Sequence, residues 1–152
     1  MAKDVLKIDD LVPDQFRALV EFVEQSFGAL CSISVSPGRE PDSYILDALP
    51  RAPGTAEIHV FWNTAESHYW TNTELTESYT DQHRSMSDGE WIRSRISDIA
   101  TYGVVELRLV LWGRIPVGNR HEALPVPFEE FRPAKNEVLR QRWLPWNSST
   151  ND

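Results

Sequence analysis

The chain has 152 residues, a length typical of one domain. Its 15 Lys and Arg residues against 23 Asp and Glu residues give a net charge of −8, which argues against general nucleic-acid binding, because that requires a cationic surface. Six Trp, six Phe and four Tyr residues exclude a disordered acidic tail, and the single cysteine excludes a disulfide scaffold. We expect one domain over residues 1–152, with disordered tails at 1–10 and 147–152.

The first fifty residues predict a helix followed by a strand. Apolar residues recur at three- and four-residue spacing over 13–27, which indicates an amphipathic helix that ends at Gly28. Residues 30–36 alternate between polar and apolar side chains and predict a half-buried strand. Four prolines and two glycines between 37 and 54 indicate a loop, with a short strand or turn at 44–46.

The middle of the chain predicts a β-hairpin and a helix. Alternation over 56–62 and the aromatic and β-branched residues of 67–73 predict two paired strands. Residues 74–86 lack periodicity and are expected to form an acidic loop. Ser87-Asp88-Gly89-Glu90 matches the capping-box pattern, and an apolar stripe predicts a helix from there to Gly103: Trp91, Ile92, Ile96, Ile99 and Ala100.

The last fifty residues predict one central strand and a weaker helix. Residues 104–112 form the most apolar segment and predict a central strand. Residues 114–134 contain four prolines and are expected to be extended, and 134–143 are predicted to form a short third helix. The fold class that follows is α+β, with a single, mostly antiparallel sheet of about four strands and two or three helices on one face.

Chemical motifs are scarce. The four histidines show no metal-ligand spacing, and Cys31 on an apolar strand face is expected to be structural. Glu57 and His59 share one strand face, so the carboxylate could orient the imidazole as a general base. A small enzyme or ligand-binding domain with a pocket near Glu57, His59, Glu106 and Arg108 is therefore one alternative.

Aromatic and acidic residues concentrate in the predicted hairpin and the loop after it. Residues 63–90 contain six acidic residues and one arginine, a net charge of −5. Aromatic rings supply contact area and cation–π contacts to Arg and Lys, and carboxylates add charge-assisted hydrogen bonds. We predict a partner-binding site made of Trp62, Glu66, Tyr69, Trp70, Glu74, Glu77, Tyr79 and Asp81.

Together these features favour an acidic, cytoplasmic protein-binding module. It would occlude a basic protein partner, in the way that an immunity protein blocks a nuclease-type toxin, by covering a cationic site that holds phosphate. We expect binding rather than catalysis, with no metal or cofactor and no contact with nucleic acid or membrane. A structural subunit of an assembly is the other alternative, in which the proline-rich segment and the end of the chain at Trp143 and Trp146 clasp a neighbour.

Overall fold

The computed structural model describes residues 13–63, 66–79 and 87–148. Within these ranges the chain forms two α-helices, eight strands and a short 3-10 helix at Phe128–Glu130. The elements in chain order are α1 (Asp14–Phe27), β1 (Cys31–Pro37), β2 (Tyr44–Pro50), β3 (Ile58–Trp62), β4 (Ser67–Thr71), β5 (Thr76–Ser78), α2 (Asp88–Tyr102), β6 (Val104–Leu111), β7 (Ile115–Ala123) and β8 (Glu137–Trp143).

The strands form two antiparallel sheets instead of one. Five strands lie in the order β1-β2-β3-β4-β5, and three lie in the order β7-β6-β8. The α+β class and the antiparallel pairing are confirmed, whereas the single sheet of about four strands is corrected to two sheets. The apolar strand β6 is central, as predicted, but in the smaller sheet.

Local signals in the sequence identified both helices and the first hairpin. The capping box of α2 is present: the Ser87 hydroxyl accepts a hydrogen bond from the Glu90 backbone N–H at 3.2 Å, and Glu90 Oε2 accepts one from the Ser87 N–H at 3.4 Å. The predicted hairpin corresponds to β3 and β4, with Val60 opposite Tyr69.

Two expected loops, one expected extended segment and one expected helix contain strands, and the short strand or turn expected at 44–46 is the start of β2. The loop at 37–54 contains β2, and the loop at 74–86 contains β5; residues 80–86 lie outside the described residues. The extended segment 114–134 contains β7, and the predicted helix at 134–143 is wrong because β8 occupies it. Strand β6 has two hydrogen-bonding edges, and pairing with β7 and β8 satisfies both, so tertiary pairing overrides the helical composition of 134–143.

Both helices pack on one face of the five-stranded sheet, which we call the inner face. Phe16, Val20 and Ile96 from the helices and Val60 and Tyr69 from the strands belong to one core and are at most 1% exposed. A smaller core joins Val105, Leu107 and Leu124 on the three-stranded sheet. No helix within the described ranges is long and apolar enough to cross a membrane.

Gly103 connects the helical layer to the three-stranded sheet. Its φ is +95°, and a Cβ added there would lie 2.1 Å from the Trp143 carbonyl oxygen. Only glycine fits this backbone conformation together with so close an approach of β8. The turn joins α2 directly to β6, whose first residue, Val104, belongs to the main core.

Candidate functional site

Two of the predicted partner-binding aromatics lie in the core. Trp62 is 5% exposed and Tyr69 is fully buried, both on the inner face. The Tyr69 hydroxyl donates a hydrogen bond to Glu77 Oε2 at 2.7 Å. Burial, and then the adjacent Glu77 carboxylate, raise the pKa of Tyr69 well above its usual range. In this arrangement Trp62 and Tyr69 support the sheet from within.

Tyr79 also packs inward. Its ring centroid lies 5.9 Å from that of Trp91 on α2, and the Tyr69 ring lies 5.7 Å from the same tryptophan. These three rings hold the N-terminal part of α2 against the edge of the five-stranded sheet, where Glu77 of β5 pairs with Tyr69 of β4.

Trp70 lies on the opposite face of the sheet, which we call the outer face. Its side chain is half-buried and is part of a continuous group of neighbouring rings, in which the His59–Trp70 and Phe61–His68 pairs are stacked and the His68–Trp70 pair is tilted. Centroid distances are 5.4 Å from Trp70 to His59, 5.7 Å from Trp70 to His68 and 5.0 Å from His68 to Phe61. The outer face therefore carries a platform of four aromatic and imidazole rings, formed by Trp70, His59, His68 and Phe61.

The strand register produces this platform. One row across the sheet consists of Ser34, Asp47, His59, Trp70 and Thr76, and the next consists of Ser36, Ile45, Phe61, His68 and Ser78. Because alternate residues of a strand point to the same face, the two rows form one polar and aromatic surface. None of the described strand residues in these rows is Lys or Arg.

Two carboxylates hold His59 within the platform. The Asp47 Oδ1 atom lies 2.6 Å from His59 Nδ1, and the Glu57 Oε2 atom lies 3.4 Å from His59 Nε2. Glu57 is also fixed through its backbone N–H, which donates to Asn72 Oδ1 at 3.0 Å. The His59 side chain is 19% exposed, against 31% for Asp47 and 42% for Glu57, so the carboxylates are the more accessible members of the cluster.

The remaining predicted acids are spread along β4 and beyond. Glu66 precedes β4 and Glu74 follows it, and both are exposed. Asp81 lies outside the described residues. The structure thus places Trp70 on the outer face with Glu66 and Glu74 in the connections before and after its strand, and assigns Trp62, Tyr69, Glu77 and Tyr79 to internal contacts.

The residues predicted to line the alternative pocket do not come together, because they lie in separate places on the two sheets. Glu57 and His59 are paired on the five-stranded sheet, whereas Glu106 of β6 binds His121 Nε2 at 3.0 Å and Arg140 Nε at 3.3 Å on the three-stranded sheet. Glu74 and Glu106 both line a cavity of about 160 Å³, which is smaller than the roughly 300–1,000 Å³ of typical small-molecule sites. Neither His59 nor Arg108 lines this cavity.

Cys31 is buried on the first strand of the five-stranded sheet. Burial raises the pKa of the Cys31 thiol to about 11, which suppresses the reactive thiolate. Among the described residues, no group of three or more His, Cys, Asp or Glu side chains is arranged to hold a metal ion.

The sequence pattern did not single out two rings of the platform, Phe61 and His68, or the Asp47 carboxylate beside it. Phe61 and His68 occupy outer-face positions that the alternation of β3 and β4 already specifies, so the signal was present. Asp47 was not detectable in this way, because it lies on β2, inside the segment that its prolines and glycines had indicated to be a loop.

No family model matches the chain, and comparisons with curated proteins and with solved structures find no match.

Proposed function

We propose that this chain is a protein-binding module whose outer face receives a cationic segment of a basic partner. The observation that carries the proposal is the platform itself: Trp70 and its neighbouring rings lie beside Asp47 and Glu57, on strand rows in which none of the described residues is Lys or Arg. In this proposal the partner is a basic protein of the nuclease-toxin type, and the chain acts as its cytoplasmic inhibitor.

The chemistry of the platform suits arginine in particular. A guanidinium group can stack on an aromatic face and donate hydrogen bonds to a carboxylate in the same plane. The Trp70 ring stacks on the His59 imidazole at 5.4 Å, and the Glu57 carboxylate lies 3.4 Å from Nε2 of the same imidazole, so both kinds of interaction are available around one residue. Occupation of this surface would cover the cationic site that the partner uses for phosphate.

Charge reversal provides the test. We expect the double variant Glu57→Lys/Glu74→Lys to slow association with the basic partner by roughly ten-fold or more, because exposed charges steer encounter within about 10 Å at 0.1 M salt. The matched control is Glu21→Lys/Glu130→Lys, which makes the same change in net charge at exposed positions on α1 and the 3-10 helix. The partner is captured from the native host by affinity purification and identified by mass spectrometry, and kinetics are followed across a salt series.

The expected result is a basic protein that the wild type and the control variant retain and the Glu57/Glu74 variant loses. A further variant, Trp70→Ala, is expected mainly to speed dissociation, since a stacked ring acts as an anchor. An association rate that is independent of salt and unchanged by the Glu57/Glu74 variant would place the interface elsewhere.

Acid–base catalysis is a second candidate, favoured by the 2.6 Å contact between Asp47 and His59. A carboxylate on Nδ1 orients an imidazole so that Nε2 can exchange a proton with a substrate. If this is the function, Glu57→Ala/His59→Ala abolishes turnover while the circular dichroism spectrum is unchanged. If the outer face only binds protein, the same variant weakens binding and there is no turnover to lose.

A further inference from the structure

The far end of the β6–β7 hairpin exposes large apolar side chains. Trp112 at its tip is 82% exposed, Val117 is 60%, Ile115 is 48% and Leu111 is 43%, and Val138 on the neighbouring β8 is 53% exposed. Strand β6 begins in the core at Val104 and extends roughly 25 Å at about 3.3 Å per residue. We call these five residues the apolar tip. Clustered exposure of this kind marks an interaction surface.

The turn at the tip holds its tryptophan in an unfavourable backbone conformation. Trp112 has φ +52° and Gly113 has φ +70°, and the Arg114 N–H donates to the Leu111 carbonyl at 3.1 Å. A β-turn whose two central residues both have positive φ favours Asn-Gly or Asp-Gly at those positions, so a bulky residue at the first of them costs free energy. Placing the largest apolar side chain there, in solvent, has no packing benefit within the described part of the chain.

The residues of the apolar tip lie on both faces of the three-stranded sheet. The register pairs Leu111 with Ile115 on one face and Arg108 with Val138 on the other, and a bulge in β7 accommodates Val117. A surface that docks on a folded protein is normally confined to one face, whereas a projection that is apolar on both sides fits a medium that surrounds it.

Charge at this end of the molecule is basic, in contrast to the chain as a whole. Residues 109–119 contain one charged residue, Arg114, and no acid. Lys135 is exposed beside the hairpin, where the Val110 N–H donates to the Asn136 carbonyl at 2.8 Å. The nearby Glu137 carboxylate is bound to Arg120 at 2.6 Å. Arg114 and Lys135 therefore present positive charge around the apolar tip.

We propose that the apolar tip inserts into the interfacial layer of an anionic lipid bilayer, with Trp112 at the level of the headgroups and Arg114 and Lys135 contacting lipid phosphates. Tryptophan favours that layer, and exposed basic residues attract anionic leaflets. The tip is a peripheral anchor that leaves the outer face of the five-stranded sheet free, so this inference does not rest on the proposed protein partner.

The test measures co-sedimentation of the full chain with vesicles of phosphatidylcholine alone and of phosphatidylcholine mixed with phosphatidylserine. The wild type is expected to bind the mixed vesicles and to bind neutral ones more weakly. Trp112→Asn, which suits the turn, should lower the bound-to-free ratio at least about ten-fold, because it removes the indole ring that favours the interfacial layer and much of the apolar area of the tip. Arg114→Glu should remove the preference for anionic lipid. The control is Leu49→Asn, a similar loss of an apolar side chain that is 40% exposed on the other sheet, and it should bind as the wild type does.

Insertion depth is measured with an environment-sensitive fluorophore on Val117→Cys. Cys31 is the only native cysteine and is 2% exposed, so the introduced thiol is labelled selectively, with labelled wild type as the check. A blue shift on adding mixed vesicles supports insertion. The proposal is overturned if the wild type binds neither vesicle, if binding is insensitive to Trp112→Asn, or if the tip captures a protein while vesicles do not bind.

Discussion

In the five-stranded sheet, burial alternates from one residue to the next, whereas in the three-stranded sheet it decreases from one end of the strand to the other. In both β3 and β4 every second side chain is buried and those between are half-exposed. In β6 the first two residues are buried, the middle is mixed and Leu111 at the end is exposed. The first sheet thus presents a face to solvent, and the second presents an end.

This difference determines what each sheet offers a partner. A sheet with one covered face exposes regularly spaced side chains on the other face. Here those side chains are aromatic and imidazole rings beside the Asp47 and Glu57 carboxylates. A sheet anchored at one end projects its hairpin, and here the projection is apolar with Arg114 at its tip. The chain therefore has two chemically opposite surfaces, one acidic and aromatic, the other apolar and basic.

The largest expected difference between the two sheets is the loss in free energy of unfolding when an isoleucine is replaced by alanine. We expect Ile96→Ala on α2, whose side chain is 1% exposed against the five-stranded sheet, to lower the free energy of unfolding by about 2–5 kcal/mol. The control, Ile115→Ala, removes the same atoms from a residue that is 48% exposed on the hairpin, and should cost less than about 0.5 kcal/mol. Urea unfolding compares the two. Equal losses of unfolding free energy in the two variants would mean that the Ile115 side chain is packed as tightly as that of Ile96, and the contrast between the two sheets would then be wrong.

Local sequence patterns predict which side chains of a strand alternate between a buried and an exposed face. They do not predict that burial decreases along the length of a strand. Alternation identified β3 and β4, and the capping box at Ser87 located α2, because both signals are local. Strand β8 was predicted to be a helix, because its Glu, Arg and Gln residues favour helices and only pairing with β6 makes it a strand.

The candidate site shows the same division. Trp70 and Tyr69 are both predicted partner-binding residues, but no local pattern tells which of these two neighbours lies on the buried face; the structure buries Tyr69 and leaves Trp70 half-buried on the outer face. Which face the helices cover is decided by tertiary packing. The apolar tip is not predicted by the sequence either, since the apolar composition of 104–112 indicates only a central position in a sheet.

A smaller effect concerns pH and lies wholly in the three-stranded sheet. The hydrogen bonds from Arg120 lower the pKa of Glu137 below its ordinary value. A carboxylate whose pKa is lower in the folded state stabilises the protein above its unfolded-state pKa, and this contribution is lost as pH falls through the folded-state value. We expect Glu137→Gln to cost about 1–2 kcal/mol at pH 7, given the partial exposure of Arg120, and less at pH 3.

Urea unfolding of the wild type and Glu137→Gln at both pH values measures this difference. Glu21→Gln, an exposed carboxylate on α1, serves as the control and should change little at either pH. A cost for Glu137→Gln that is the same at pH 3 and pH 7 would show that packing of the side chain, and not its charge, accounts for the loss.

The smallest expected effect is a gain in stability at the hairpin turn. Trp112 has φ +52° in a turn that favours asparagine at this position, and the left-handed conformation costs a bulky residue roughly 1–2 kcal/mol. Trp112→Asn should therefore raise the free energy of unfolding by up to about 1 kcal/mol, because its 82% exposed ring contributes little packing in exchange. Thermal and urea unfolding both report this gain, and Val117→Asn, which leaves the turn intact, should not reproduce it. A variant that is more stable yet loses vesicle binding would show that the strained tryptophan serves the surface it forms; a variant that is less stable would mean that the ring packs against the fold, and the tip would then belong to the core.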